Sequence, residues 1–323
     1  MKLTPQTDFK VFFLIIATLV IPTCITLLSI NYPQTSIHPV INSSPLGYTW
    51  SLSLFVIPII SILIWLFLNQ EKDIIRKSFW VSLVVLIPLG FILDIFFGLS
   101  FFTFINHGAV LGIYLPGLDI SQMKWLFELP IEEFIFYLSG FVAVLLIYIW
   151  CDEYWLAAYN VENYLEEYKN KQIKKLVLFH PKSIIIAILL IIAATLYKNL
   201  VPNPYQGGFP GYFAFLVIAS FVPSAAFFKT TVHFINWRAF SSTFFFVLLI
   251  SLVWEATLAS PYQWWGYNYQ QMIGITIGAW VKLPIEAVLV WMAVTFTTVI
   301  IYETIKIWLH TGHSFKKALF GQD

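Results

Sequence analysis

The sequence predicts an all-α, polytopic membrane protein with about eight transmembrane helices in two parallel tandem repeats of four. Charged residues form only 11 % of the 323-residue chain, whereas apolar residues form 59 %. In a typical soluble globular chain, about a quarter of the residues are charged. A soluble fold is therefore excluded, and the long apolar runs of the chain are predicted to be membrane spans.

Eight apolar runs are long enough to cross a bilayer, whose apolar core of about 30 Å needs about 20 helical residues. They lie at residues 11–30, 50–68, 79–102, 125–150, 183–201, 210–228, 239–258 and 276–303. The first run follows Lys2 and Lys10, is too long for the core of a signal peptide, and precedes no small-residue cleavage site. We therefore expect it to be retained as the first span.

The lysine and arginine residues of the predicted loops are unevenly divided between the two sides of the membrane. Of the 18 such residues, all but Lys124, Lys198 and Lys282 lie on the side of both termini. Because positively charged loops stay in the cytoplasm, both termini are predicted to be cytoplasmic, with the protein in a cell inner membrane. The longest cytoplasmic segment, 152–182, is either an interfacial amphipathic helix or a solvated linker.

The two halves of the chain carry similar features in the same order. Gly47-Tyr48 matches Gly211-Tyr212, and the run Leu129–Glu132 returns with the same four residues at Leu283–Glu286. We predict a first unit at 1–160, a linker at 161–182 and a second unit at 183–323. Since each unit has an even number of spans, both would insert in the same orientation, and the interface between them is the expected position of a site.

Five acidic residues of the predicted spans are the candidates, and all five lie in the membrane half away from the cytoplasm. They are Asp94, Glu132, Glu133, Glu255 and Glu286. A carboxyl group inside a bilayer is costly and therefore marks a candidate functional site. Burial favours the protonated form of a carboxyl, which can act as a general acid near neutral pH. These five residues are the predicted catalytic set.

Two of these acids follow a proline by two residues, at Pro130 and Pro284. Proline suits the first turn of a helix, where free backbone N–H groups favour an ionised carboxylate. The acids could therefore simply cap their helices. Because adjacent helical residues point about 100° apart, one of Glu132 and Glu133 could be the acid and the other its partner or a cap.

Aromatic residues make up 19 % of the chain and cluster beside the acids. The candidates for substrate binding are Phe97, Phe101, Trp254, Trp264, Trp265 and Tyr267. Tryptophan and tyrosine are also common at membrane interfaces, which is the alternative interpretation of any single ring. A lining of aromatic faces would stabilise a carbocation and exclude water. An acid beside such a lining, with no nucleophile, is what proton-initiated cyclisation of a polyene requires.

The sequence lacks the signatures of several other chemistries. No glycine-rich dinucleotide or phosphate motif follows a strand, no aspartate-rich diphosphate–magnesium motif occurs, and no lysine lies in the middle of a predicted span to bind retinal. The six histidines form no di-iron set, and only His107, near Asp94 in sequence, is a further candidate. We predict no cofactor and no metal, and the net charge of +1 implies no nucleic-acid partner.

Five motifs together carry a resemblance to a known family. They are Leu111–Ile113, Leu129–Phe134, Trp254-Glu255, Trp264-Trp265 and Leu283–Glu286. They resemble the membrane lycopene cyclases of the heterodimeric bacterial type and their fused two-domain relatives, over residues 48–150 and 210–305. The resemblance implies carotenoid biosynthesis, with lycopene taken from the membrane lipid and its linear ends closed to β-ionone rings. Such an enzyme is an isomerase of the intramolecular lyase type.

The predicted mechanism begins with a neutral carboxylic acid, Glu132 or Glu286, which protonates the terminal double bond of a linear carotenoid. The internal alkene then attacks the tertiary cation, and a carboxylate, Asp94 or Glu255, removes a ring proton. Three alternatives remain open. Water could capture the cation, which would make the protein a carotenoid hydratase. Another proton-initiated terpenoid cyclase and a proton- or cation-coupled transporter are the other two.

Overall fold

The computed structural model describes residues 45–69, 73–120, 122–277 and 282–321, together with the single positions 10, 13, 17 and 21. Within these residues, seven helices are long and apolar enough to cross a membrane. The prediction of a mostly helical, membrane-embedded protein is thereby confirmed. The predicted span 11–30 lies largely outside the described residues, so the count of eight stays a prediction.

The helices follow the predicted spans closely at most of their ends. The seven long ones are α1 (Gly47–Asn69), α2 (Asp73–Phe101), α3 (Ile131–Trp150), α5 (Pro181–Leu200), α6 (Gly211–Thr231), α7 (Trp237–Trp254) and α8 (Glu286–Thr311). Two short helices are α4 (Tyr164–Asn170) and α9 (Phe315–Phe320). Single π-helical turns at Cys151–Trp155 and Glu255–Ala259 extend α3 and α7.

Six short strands form three antiparallel pairs at one end of the bundle, which we name the hairpin end. They are β1 (Phe102–Thr103), β2 (Tyr114–Asp119), β3 (Lys124–Pro130), β4 (Gly266–Tyr267), β5 (Thr276–Ile277) and β6 (Leu283–Pro284). The pairs are β1–β4, β2–β3 and β5–β6. The first pair joins segments far apart in sequence, since Phe102 lies opposite Tyr267.

The strands correct two predicted spans. Residues 125–130 form β3, so the fourth span begins at Ile131 and not at residue 125; the last begins at Glu286 and not at residue 276. An apolar run alone does not distinguish a buried strand from a helix. The two prolines decide the matter, because a proline pushes the residue before it out of the helical region.

The prediction that both prolines occupy the first helical turn was therefore wrong. Pro130 precedes the first turn of α3 with extended dihedral angles of φ −69° and ψ 147°. Pro284 ends β6, and Ile285 separates it from α8. Glu132 and Glu286 are consequently close to the first residues of their helices, where backbone N–H groups lack intrahelical partners.

Helix α8 is the centre of the bundle. In an apolar stretch of 18 residues of α8, 61 % of the residues are buried, compared with 17 % in the corresponding stretch of α1. Helices α2, α3, α6 and α7 all pack against it, while α1 packs on α3 and α5 packs on α6. At the end opposite the hairpins, the segment predicted as an interfacial helix or a linker contains α4, whose Tyr164 and Tyr168 are buried against the bundle.

Candidate active site

Glu132 and Glu286 begin their helices in the same hydrogen-bonded arrangement. The Leu111 backbone N–H donates to Glu132 Oε1 at 2.7 Å, and the Ile273 N–H donates to Glu286 Oε1 at 2.7 Å. In both cases the second carboxyl oxygen has no hydrogen-bond partner within the described part of the chain. Each acid thus fixes the loop that precedes the hairpin to the start of a helix.

A glycine follows each of the two donor residues and makes this arrangement possible. Gly112 has a φ of +79° and Gly274 a φ of +95°, a left-handed region that favours glycine because it lacks a Cβ atom. The next residues, Ile113 and Ile275, accept backbone hydrogen bonds from Ile131 and Ile285 at 2.9 Å. The sequence motif Leu-Gly-Ile or Ile-Gly-Ile therefore encodes a turn that places one N–H on a glutamate.

The surroundings of the two glutamates differ in one respect. Thr49 Oγ1 donates to Glu132 Oε1 at 2.5 Å. Near Glu286 the neighbour is a fully buried cation, Lys198, whose Nζ donates to the carbonyl oxygens of Gln270 at 2.5 Å and Met272 at 2.6 Å. Lys198 interacts electrostatically with Glu286. Lys198 lies near the outer end of the predicted span 183–201, where it was counted only as an outer-side charge and no role was predicted for it.

Glu133 and Glu255 are each held by a tyrosine. Tyr48 OH donates to Glu133 Oε2 at 2.8 Å, and both residues are buried. Tyr267 OH donates to Glu255 Oε1. Burial, followed by the nearby Glu255 carboxylate, raises the pKa of the Tyr267 hydroxyl well above its ordinary value, so Tyr267 remains a donor.

Asp94 differs from the other four acids because neither of its carboxyl oxygens has a hydrogen-bond partner among the described residues. The residue is only 5 % exposed. A Cβ atom at Gly98, one turn further along α2, would lie 2.7 Å from Asp94 Oδ1. Gly98 therefore provides the space that the carboxyl group occupies. Asp94 also lies close enough to Glu133 for the two groups to interact electrostatically.

An apolar cavity of about 270 Å³, which we name the acid cavity, contains Asp94 in its wall. It lies between α2 and α6, both of which pack against α8. Leu89, Ile218 and Val222 in its lining are 44 %, 52 % and 58 % exposed. Since these positions lie on spans, the acid cavity opens sideways to where the lipid would be.

A smaller central cavity of about 30 Å³ adjoins the acid cavity. Glu133 and Glu255 are in its lining, and Phe102, Tyr137 and Tyr212 line both cavities. Three of the five predicted acids, Asp94, Glu133 and Glu255, are thus brought together around two connected spaces. Glu132 and Glu286 line neither cavity.

The predicted aromatic residues divide in the same way. Phe97 and Phe101 line the acid cavity, and Trp265 and Tyr267 line the central cavity. Trp254 and Trp264 lie behind this layer, where they pack against the Tyr48 ring with centroid distances of 6.0 and 6.4 Å. Tyr137 was not among the residues predicted from the sequence. Tyr48 and Tyr212 were noted only as matching features of the two halves of the chain.

His107 is not part of the acid site. Its Nδ1 lies 2.9 Å from the Tyr114 hydroxyl in an exposed position. Among the described residues, no group of three or more histidine, cysteine, aspartate and glutamate residues could hold a metal ion.

No protein-family model, curated protein or solved structure matches the chain. The function must therefore be argued from the site itself.

Proposed function

We propose that the chain is a membrane isomerase that cyclises the linear ends of a carotenoid such as lycopene by proton transfer. One observation carries the proposal: the buried carboxyl of Asp94, which has no hydrogen-bond partner among the residues that the structure describes, lines an apolar cavity that opens towards the side of the bundle. An ionised carboxylate without a partner is very costly in such surroundings. Asp94 would therefore hold a proton and act as a general acid towards an apolar substrate.

In the proposed reaction, Asp94 donates its proton to the terminal double bond of the substrate, which leaves a tertiary cation. The internal alkene attacks this cation and closes a six-membered ring, which moves the positive charge onto the ring. Glu133 or Glu255, in the central cavity, then removes an adjacent ring proton and forms the ring double bond. Return of this proton to Asp94 completes the cycle with no net redox change.

The hydrogen bonds favour this assignment over the acid role predicted for Glu132 and Glu286. Both of those carboxyl groups accept a backbone N–H, and such bonds stabilise the ionised form. They are better suited to holding the loops in place. Glu133 accepts a hydrogen bond from Tyr48 and lines the central cavity, which suits it to the base.

The aromatic lining supports a cationic intermediate. Phe97 and Phe101 are stacked with centroids 5.8 Å apart, and Tyr212 lies 4.9 Å from Phe101. A cation over an aromatic face is stabilised by about 2 kcal/mol or more when water is excluded. The aromatic part of the lining therefore favours the cation.

We further propose two tandem units, α1–α3 and α6–α8, in one orientation. Support comes from the two matched N–H to glutamate bonds, which are both 2.7 Å long, and from the matched left-handed glycines. Asp94 corresponds to Glu255 in this alignment, whereas Glu133 corresponds to the buried Ala287. The first unit would then supply two of the three clustered acids.

The test is expression in cells that make lycopene, followed by chromatography of the pigments. The unaltered chain is expected to yield cyclic carotenoid, and Asp94→Asn to lower that yield about 100-fold or more, in the range of general acid catalysis. The exposed Glu128→Gln on β3 is the matched control and should not change the yield. Both variants must be present in the membrane at the level of the unaltered chain.

Two results would count against the proposal. Hydroxylated acyclic pigment would identify a hydratase, because water and not the alkene would then have captured the cation. Unchanged lycopene, with the protein present in the membrane, would contradict the proposed cyclase activity altogether.

A further inference from the structure

A second apolar cavity, of about 160 Å³, lies between α1 and α7. We name it the α1–α7 cavity. Both of these helices pack against α3, just as α2 and α6 pack against α8 around the acid cavity. None of its described lining residues is charged. No step of the proposed reaction uses this space.

The α1–α7 cavity opens sideways, as the acid cavity does. Leu54, Ile62 and Ile250 in its lining are 60 %, 41 % and 50 % exposed. These positions lie on apolar spans. Among the described residues, the bundle therefore has two lateral openings, one between α2 and α6 and the other between α1 and α7.

The central cavity lies between the other two cavities and adjoins both. It shares Tyr137 and Tyr212 with the acid cavity, and it shares Phe136, Gly140 and Trp291 with the α1–α7 cavity. At Gly140, an added Cβ atom would lie 3.4 Å from the Trp291 ring. The three cavities form one row across the bundle, and Gly140 lies where the row is narrow.

We infer that the α1–α7 cavity binds the unreactive hydrocarbon part of the linear substrate whose end occupies the acid cavity. This inference rests on the proposed function for the identity of the substrate. An engineered apolar cavity of about 150 Å³ stays dry and holds a benzene-sized hydrocarbon, so 160 Å³ has room for a stretch of chain.

The two openings explain how a long, stiff polyene can be held. A row of cavities open at both sides accepts a chain longer than the bundle is wide, because the remainder lies in the bilayer. Burial of apolar surface favours this placement, and the described lining contains no charged group that would have to be desolvated. Sliding along the row would bring either end of the chain to Asp94.

Ligand binding to the detergent-solubilised protein tests the inference without requiring turnover. Binding is measured from the rise in melting temperature with ligand concentration, with lycopene as the long probe and farnesene as a much shorter acyclic terpene. Ala143→Leu fills the α1–α7 cavity, and Ala219→Leu fills the acid cavity. Ala193→Leu, on the exposed side of α5, is the matched control.

Ala143→Leu is expected to weaken lycopene binding about tenfold, which is 1.4 kcal/mol, and to leave farnesene binding unchanged. Ala219→Leu should weaken the binding of both ligands. Gly140→Val, which narrows the passage where the central cavity meets the α1–α7 cavity, should act like Ala143→Leu and serves if that variant does not fold.

The outcomes separate the inference from the proposed function. If Ala143→Leu and Gly140→Val bind lycopene as tightly as the unaltered protein, the inference is overturned and the α1–α7 cavity belongs to bilayer lipid. Equal weakening of both ligands by Ala143→Leu would also overturn it. If the unaltered protein forms no cyclic pigment and is not stabilised by lycopene, both the proposed function and the inference fail.

Discussion

Hydrogen bonding divides the five acids of the predicted catalytic set into three groups. Glu132 and Glu286 each accept a backbone N–H, and Glu133 and Glu255 each accept a tyrosine hydroxyl. Asp94 accepts none from the described residues. A carboxyl without stabilising donors in an apolar wall keeps its proton, because its ionised form is costly there. The acid with the fewest contacts is therefore the one best suited to proton donation.

In the proposed reaction, Tyr48 positions Glu133 through the hydrogen bond from its hydroxyl group. Removing this hydroxyl group should therefore lower the activity. Tyr48→Phe takes away the only side-chain hydroxyl bonded to Glu133 within the described residues. A hydrogen bond to a charged group contributes about 1.5–3 kcal/mol, so cyclic pigment should fall about 10- to 100-fold. Pigment chromatography measures the effect, and Tyr205→Phe, which lines none of the three cavities, is the control.

A double variant distinguishes positioning from a general effect on folding. If Tyr48 acts through Glu133, adding Tyr48→Phe to Glu133→Gln should cause no further loss, because residues that act as a unit are not additive. A full additional loss in the double variant would show that Tyr48 contributes independently of Glu133.

At the scale of elements, an ionic cluster ties the segment after α3 to α8. Lys306 Nζ lies 3.0 Å from Asp152 Oδ2 and 2.8 Å from Glu153 Oε1, with all three side chains buried. Glu303, one turn before Lys306, accepts hydrogen bonds from Tyr148 and Tyr164 at 2.9 Å. These contacts lie at the end of the bundle opposite the acid cavity, so they stabilise the fold and take no part in the proposed reaction.

The cluster predicts a large loss of stability for Lys306→Met. Removing one partner leaves buried carboxylates without a counter-ion, which costs about 3–5 kcal/mol. Lys171→Met removes a partly exposed pair with Glu167 at 3.6 Å and should cost less than about 1 kcal/mol. The melting temperatures of the two purified variants are compared, and Lys306→Met should melt at a clearly lower temperature than Lys171→Met. Similar values would show that the cluster does not stabilise the fold.

His180, directly before α5, is expected to make the stability of the protein depend on pH. Burial, with Lys182 and Lys229 nearby, lowers the pKa of His180. The unfolded chain then binds the proton more strongly than the folded chain, so stability is lost as the pH falls below about 6.5. His180→Gln should reduce this loss, measured as melting temperature against pH. An unchanged profile would assign the loss to other groups, among them His233, whose pKa burial also lowers.

At the scale of the whole molecule, the acid cavity, the central cavity and the hairpins lie towards one end of the bundle. The excess of lysine and arginine on the other side predicts that the hairpin end faces away from the cytoplasm. Met123→Cys in the β2–β3 hairpin should therefore react with a membrane-impermeant maleimide in intact cells. Lys316→Cys in α9 should react only after lysis.

This labelling requires a background in which Cys24 and Cys151 are replaced. Met123 is 76 % exposed, so the engineered thiol at this position is accessible once the reagent is on the correct side. The reverse pattern of labelling would place both the hairpins and the proposed site near the cytoplasm.

Much of the fold followed from local sequence, but the helix starts did not. The apolar runs located the seven described spans because bilayer crossing depends on the length and apolarity of one segment. The same runs did not reveal β3 and β6, because the prolines and a partner strand decide whether the apolar residues form a strand or a helix. Tyr114 lies opposite Pro130 and Thr276 opposite Pro284, and hydropathy does not encode these pairings.

The sequence by itself determined that the chain belongs in a membrane and that five acids lie in or beside its spans. Composition and spacing suffice for this, since the cost of burying charge applies to each segment separately. Only the tertiary structure decided which acid faces a cavity. Glu133 accepts a hydrogen bond from Tyr48, 85 positions away in sequence, whereas Asp94 has no donor in the part of the chain that the structure describes. Such differences arise from packing between distant segments, and they separate a candidate acid from the acids that hold loops in place.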